Sequence, residues 1–222
     1  MPNLAEMIKS DVIKELTWDA RVQSENIKVQ VPDPGIVILS GEVPSVRTRT
    51  RAVFDAWTVK GVKAVDNQIK VNLKSGLDYP TDSVIKRRIV QLLSYDLTLD
   101  SSRIEVSVIN GVASLNGTVE TYWEIEYVEE LVSSLDGIIE IFNDLSVVPT
   151  KKVSDEIIAR QITDSIKRSI AVSNEEIDVL VSDANVILTG KVPDRSAYLV
   201  AEKAAKNTFG VIDVSNQIKI ES

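Results

Sequence analysis

A chain of 222 residues without a histidine or a cysteine lacks the commonest general base, the thiol nucleophile, the thiolate metal ligand and the disulfide. Its 44% hydrophobic and 26% charged residues are the composition of a folded globular protein. Its net charge of −8 offers no basic footprint for nucleic acid.

No apolar run approaches the length that spans a bilayer, and Met1 to Leu16 has no basic stretch followed by an apolar one, as a signal peptide would. As it stands the sequence predicts a cytoplasmic protein, or a periplasmic one if a leader has been removed. No motif for phosphate binding, a nucleophile elbow or a metal cluster is present, so no enzyme activity and no cofactor are expected.

The chain is an internal repeat. Val37 to Val71 returns after Ala113 and again after Val186, with Gly41, Gly117 and Gly190 at one position, Gly61, Gly137 and Gly210 twenty residues on, and Asn67, Asn143 and Asn216 six further. This divides the protein into three units of about 73 residues, 1–76, 77–149 and 150–222. The charge is uneven among them: 11 basic and 9 acidic residues in the first, 4 and 13 in the second, 10 and 11 in the third.

Each unit opens on a helix. Asn3 and Glu6 have capping-box spacing, and Ile8, Val12 and Leu16 form an apolar stripe repeated as Ile85, Ile89, Leu93 and Ile158, Ile162, Ile166. Period-two runs follow, Ile27-Val29-Val31, Ile104-Val106-Val108 and Ile177-Val179-Val181, which read as half-buried strands. Turn residues then predict a hairpin: Pro32-Asp33-Pro34-Gly35, Asn110-Gly111 and Asp183-Ala184. Ala184 replaces a glycine, so a different turn type is expected in the third copy.

The second strand carries Gly41, Gly117 or Gly190, a glycine that signals a bulge or a close backbone, with the packed helix as the expected neighbour. Ser45, Thr121 and Asp194 are placed to cap a second helix, Thr121 with Glu124 in a capping box. That helix should bury Ala52 and Ala56, Val128 and Val132, or Ala201 and Ala205. Gly61, Gly137 and Gly210 should end it in a Schellman motif. A last strand, parallel to the second, then closes the unit with Ile69 and Val71, Leu145 and Val147, or Ile218 and Ile220 facing inward. The fold class is α+β: three tandem α-β-β-α-β units, each a small three-stranded mixed sheet covered by two helices. Short linkers, about 72–81 and 148–154, favour a compact or curved array.

The hydrophobic-Ser/Thr/Asn-Gly-x-Val strand, with Gly-Val or Gly-Ile and then asparagine downstream, resembles the BON domain of bacterial osmotically inducible and nodulation proteins. The resemblance runs three times over nearly the whole chain. Leu16-Thr17-Trp18-Asp19 and Tyr122-Trp123 also look like bacterial proteins built of three such domains. The resemblance implies a non-enzymatic module linked to osmotic or envelope stress that contacts phospholipid surfaces or protein partners. Two alternatives come with it: sensing of potassium, as in a cytoplasmic relative, and chaperone-like holding of unfolded clients.

Candidate contact residues follow. Arg47, Arg49 and Arg51 stand at a helix start, where cations oppose the dipole, and suit either a lipid headgroup or the acidic second repeat. Opposite charge predicts that repeats 1 and 2 dock through these arginines. Trp57, Tyr122 and Trp123, with Trp18, are aromatics for a membrane interface, a partner or packing between repeats. Glu124, Glu126, Glu129 and Glu130 read as a solvated face or an interdomain contact.

Overall fold

A computed structural model of the chain describes residues 3–22, 24–73, 78–169 and 177–220. The middle of the first linker, 74–77, lies outside the described residues. The first repeat is α1 (Leu4–Trp18), β1 (Ile27–Gln30), β2 (Ile36–Val43), α2 (Val46–Thr58) and β3 (Ala64–Val71). The second is α3 (Asp82–Tyr95), β4 (Ile104–Ile109), β5 (Val112–Val119), α4 (Tyr122–Ser133) and β6 (Glu140–Val147). The third is α5 (Asp155–Lys167), β7 (Ile177–Ser182), β8 (Asn185–Val192), α6 (Arg195–Lys206), β9 (Asp213–Asn216) and β10 (Lys219–Ile220).

The chain is thus three α+β units in tandem. In each sheet the second strand is central: the orders are β1-β2-β3 and β4-β5-β6, and β8 lies between β7 and the pair β9 and β10. The hairpin partner is antiparallel, with Val29 opposite Leu39, and the crossover partner is parallel, with Leu39 opposite Asn67. The last strand of the third repeat is two short pieces rather than one. Both run parallel to β8, and Gln217 N–H donates to the Leu188 carbonyl at 2.8 Å across the gap.

By spatial proximity the chain falls into two compact units. One is Met1–Ile89 with Ser107–Ala113 and Val132–Phe142; the other is Val90–Val106 with Ser114–Leu131 and Asn143–Ser222. The middle repeat contributes to both.

The helical stripes go where their spacing sends them. Ile8, Val12 and Leu16 from α1 meet Ala52 and Ala56 from α2 over Val37, Leu39 and Ile69 of the sheet. In the third repeat Ile158, Ile162 and Ile166 meet Ala201 and Ala205 over Val186, Leu188 and Ile218. Small residues on the second helix let it lie close to the sheet. Burying a leucine such as Leu39 or Leu188, both fully enclosed, contributes about 1.5–3 kcal/mol.

Local chemistry fixes the ends. Asn3 caps α1 by accepting from Ala5 N–H, Ser45 caps α2 through Thr48 N–H, and Asp194 caps α6 through Ala197 N–H. The capping box expected at Thr121 is different. The Thr121 hydroxyl donates to the buried Glu124 carboxylate, which also takes the backbone N–H of Glu120.

Three further expectations are corrected. Gly61 and Gly210 do not occupy the first position past the helix: α2 is capped by Val59 and α6 by Asn207. Both glycines, at φ 88° and 93°, sit instead in a turn beyond the helix, closed by Val62 N–H to Val59 O and by Val211 N–H to Thr208 O. A positive φ there is the third-residue demand of a type II turn.

The close neighbour of the strand glycine is not the helix. A Cβ on Gly41 would stand 1.9 Å from the Asn26 carbonyl oxygen, and one on Gly117 2.1 Å from that of Arg103. These carbonyls belong to the short 3-10 turns, Ser24–Asn26 and Ser101–Arg103, that lead into β1 and β4. The third correction concerns the Asp183-Ala184 turn. It is left-handed at both residues, φ 50° and 63°, as is Asn110-Gly111 at 52° and 76°, so the turn type is shared.

Candidate binding surfaces

The three arginines of α2 reach three different environments. Arg47 is exposed. Arg49 forms a two-pronged pair with Glu140 at the start of β6, at 2.8 and 2.5 Å. The guanidinium holds the Glu140 carboxyl below its ordinary range. Arg51 turns into its own repeat, where Nε lies 2.7 Å from Asp19 Oδ2 and 3.0 Å from Asp55 Oδ1 and the guanidinium carbon stands 4.8 Å from the Phe54 ring centroid.

This last group is a buried polar network that the sequence reading missed. Asp19, the C-cap of α1, is 4% exposed and Asp55 on α2 is 2% exposed. Asp19 also accepts the backbone N–H, Nε and a terminal nitrogen of Arg21, and these bonds drive its carboxyl well below the usual carboxylate range. The signal was available: Asp55 stands beside Ala56 on the buried stripe of α2, where the other repeats have Leu131 and Ala204.

In the second repeat the equivalents are Asp96 and Tyr127, and the tyrosine hydroxyl donates to the carboxylate at 2.7 Å. Hydrogen bonds from Thr98 and then Tyr127 lower the Asp96 carboxyl, while Asp96 raises the Tyr127 hydroxyl. In the third repeat Ser169 and Val200 take these positions, and a groove of about 640 Å³ opens there between α5 and α6, lined among others by Asp164, Ser165, Arg168, Lys203 and Asn207.

The aromatics divide as well. Trp57 is half-buried against the core of the first repeat. Tyr122 is half-buried, with Lys206 Nζ 5.6 Å from its ring centre. Burial raises its hydroxyl. The same lysine pairs with Glu126 at 2.6 Å and with Glu202 at 3.3 Å. Burial alone would lower Lys206, yet the two carboxylates hold it above its ordinary value. Trp123 leans on Tyr127, ring centres 5.4 Å apart.

Trp18 is different: it ends α1 and is 77% exposed. Tyr95 ends α3 at the equivalent position and is 81% exposed, and Leu97 just after it is 99% exposed. Tyr95 follows Leu93 as Trp18 follows Leu16, a match that would have found it from the sequence.

The signature asparagines have a structural role. Asn67, Asn143 and Asn216 each accept, through Oδ1, the N–H two residues on, at Ile69, Leu145 and Ile218. Asn143 Nδ2 also donates to the Ile125 carbonyl of α4 and so ties strand to helix. Among the described residues no group of three carboxylates is gathered to hold a metal ion, and no helix is long and apolar enough to cross a membrane.

The architecture, three small mixed sheets each backed by two helices and marked by the same glycines and asparagines, defines a protein of tandem non-identical modules. The BON domain model matches residues 5–72, 81–149 and 154–222, and the chain belongs to the BON domain family. A curated relative, a 21 kDa hemolysin of Actinobacillus pleuropneumoniae, is 29% identical over 151 residues, 66% of this chain and 77% of the relative.

Among solved structures, the C-terminal domain of CdsD, a structural protein of the type III secretion system of Chlamydia trachomatis, covers 100% of both chains at 12% identity and a TM-score of 0.27. The periplasmic domain of PrgH from S. typhimurium, a type III secretion inner-membrane protein, covers 88% of this chain and 99% of its own at 13% identity and a TM-score of 0.23. Scores this low carry no argument about this chain.

Proposed function

We propose that the protein is a non-enzymatic binding module of osmotic or envelope stress that contacts phospholipid surfaces through the exposed carboxyl ends of its first helices. The observation that carries this reading is the exposure of Trp18 at the end of α1 and of Tyr95 and Leu97 at the end of α3. Large apolar and amphipathic side chains left in water at a helix end are suited to the boundary between headgroups and acyl chains. With Arg49 and Arg51 engaged by carboxylates, the contact falls to the aromatics rather than to an arginine patch. The net charge of −8 also disfavours a purely electrostatic attraction to anionic lipid. A relative named as a hemolysin supports a membrane as the surface, and the absence of histidine and cysteine supports a binding role over a catalytic one.

The test is sedimentation with vesicles of phosphatidylcholine, with and without phosphatidylglycerol, at low and high salt. The wild type is expected to sediment with vesicles, retain most of that binding in high salt, and lose it in W18S/Y95S/L97S. A protein that stays in the supernatant under every condition overturns the reading.

A further inference from the structure

The first repeat holds a buried pair of carboxylates that share one donor. Arg51 Nε carries a single hydrogen, yet it lies within hydrogen-bonding distance of both Asp19 Oδ2 and Asp55 Oδ1. Asp19 has the donors of Arg21 besides. Asp55 is poorly supplied: its Oδ2 is buried and, among the described residues, has no hydrogen-bond partner. The charged groups that face Asp55 are Asp19 and Glu15 from α1, Arg21 from the segment after it, and Arg51 from its own helix. In the second and third repeats the position is apolar, Leu131 and Ala204.

A carboxylate oxygen buried without a donor has a simple remedy, which is to take up a proton. The neutral acid can then give its O–H to Asp19, replacing a repulsion between two carboxylates by a hydrogen bond between them. We infer that Asp55 is a proton-operated latch that fastens α2 to the carboxyl end of α1 and thereby regulates the presentation of Trp18. Asp19 is the C-cap of α1 and the residue next to Trp18, so closing or opening the pair acts directly on the exposed aromatic. Burial, partly offset by Arg51 and reinforced by Asp19, pushes the Asp55 carboxyl up to about 6. The latch is therefore closed in mildly acidic solution and open at neutral pH. Fixing the helix end in advance reduces the ordering cost of a contact, so vesicle binding is stronger in the closed state.

This inference rests on Trp18 as a membrane contact, and its test separates the two. The full chain labelled with 5-fluorotryptophan, its Trp18 signal assigned with W18F, is titrated from pH 4.5 to 8 by fluorine NMR, with D55N alongside. The Trp18 signal is expected to move with a midpoint near pH 6, and in D55N to stay near its low-pH position throughout. A signal that does not move, or moves equally in D55N, overturns the latch. The carboxyl carbon of Asp55 in the wild type gives a second reading free of any folding defect in the variant, and a midpoint in the ordinary range near 4 overturns the latch as well. With vesicles of phosphatidylcholine and phosphatidylglycerol, the bound fraction of the wild type should rise severalfold from pH 7.5 to 5 while that of D55N stays level; equal rises overturn regulation by Asp55. A Trp18 signal that titrates in a protein that sediments with no vesicle keeps the latch and removes the membrane.

Discussion

Asp155, the first residue of α5, accepts the backbone N–H of Ala184 at 2.9 Å, 29 residues further along the chain. Its other oxygen takes Asp183 N–H at the same distance. Asp82 does likewise for Asn110 and Gly111 in the second repeat. One carboxylate therefore gathers both amides of a left-handed hairpin turn, and this clamp lets an alanine hold φ 63° where a glycine would be easier. The first repeat has Ala5 at the equivalent helix position and a longer, proline-containing turn. The aspartate and the two-residue turn come and go together. Replacing Asp155 by alanine should destabilise the third repeat by about 0.5–1.5 kcal/mol, the net worth of hydrogen bonds whose amides can turn partly to water. Urea unfolding of D155A and D155N, which keeps one acceptor, should show the amide variant as the milder loss.

Gly41 presents a harder limit. A side chain there would collide with a backbone carbonyl, not with a movable side chain, and its φ is 126°. G41A is expected to cost about 4 kcal/mol or more, whereas at Gly61 an added Cβ would meet only the end of Ile8 at 3.3 Å, leaving mainly backbone strain of about 1–2 kcal/mol. Circular dichroism melts of the two variants should separate them clearly. Equal melting temperatures would refute the close approach at Asn26.

Asp55 makes stability depend on pH. Its carboxyl rises from an ordinary 3.8 to about 6 on folding, so the folded state holds a proton more tightly than the unfolded one. The stabilising contribution is complete below about pH 4 and is lost as pH rises through about 6. D55N keeps a neutral side chain at every pH. It should therefore melt a few degrees above the wild type at pH 8, and the gap should close toward pH 4. Asp19 runs the other way, since its carboxyl is lowered by Arg21, and D19N should be destabilised at neutral pH and indifferent in strong acid. Calorimetry of D55N from pH 4 to 8, and of D19N from neutral pH down into strong acid, checks the two signs.

The Arg49 to Glu140 pair is 17% and 40% exposed on its two side chains, so solvent screens it. A double-mutant cycle with R49A and E140A should give a coupling of about 0.5–1 kcal/mol, weakening in salt. We propose that this pair docks the first repeat on the second, and the exchange R49E/E140R should recover part of what either single reversal loses.

The units were legible because their signals are periodic. The stripe Ile158, Ile162, Ile166 and the alternation Ile177, Val179 each point to one face, and comparison of three copies cancels local noise. What escaped depends on where a side chain ends after the chain has folded. Arg51 and Asp55 stand four apart on α2, a spacing that brings side chains together, but nothing in the sequence says that Asp19 joins them, since that contact runs from one helix end to another helix. Asp82 and Asp155 were hidden for the same reason, as acidic residues in a first turn are ordinary partners of the dipole. Gly61 shows the opposite case: its need for a left-handed backbone was readable, but the turn that uses it lies beyond the helix end.

Because the second strand of every unit is central, β1 and β3 are outer strands of their sheet, and an outer strand is a template on which another chain can add. β3 is eight residues long, enough to seed a fibril-like contact were it apolar. Its solvent face instead displays Asp66, Gln68 and Lys70, all exposed. A second molecule laid alongside would crowd and partly desolvate those charges, so concentrated solutions of the protein should resist edge-to-edge aggregation, and neutralising Asp66 and Lys70 together should weaken that resistance.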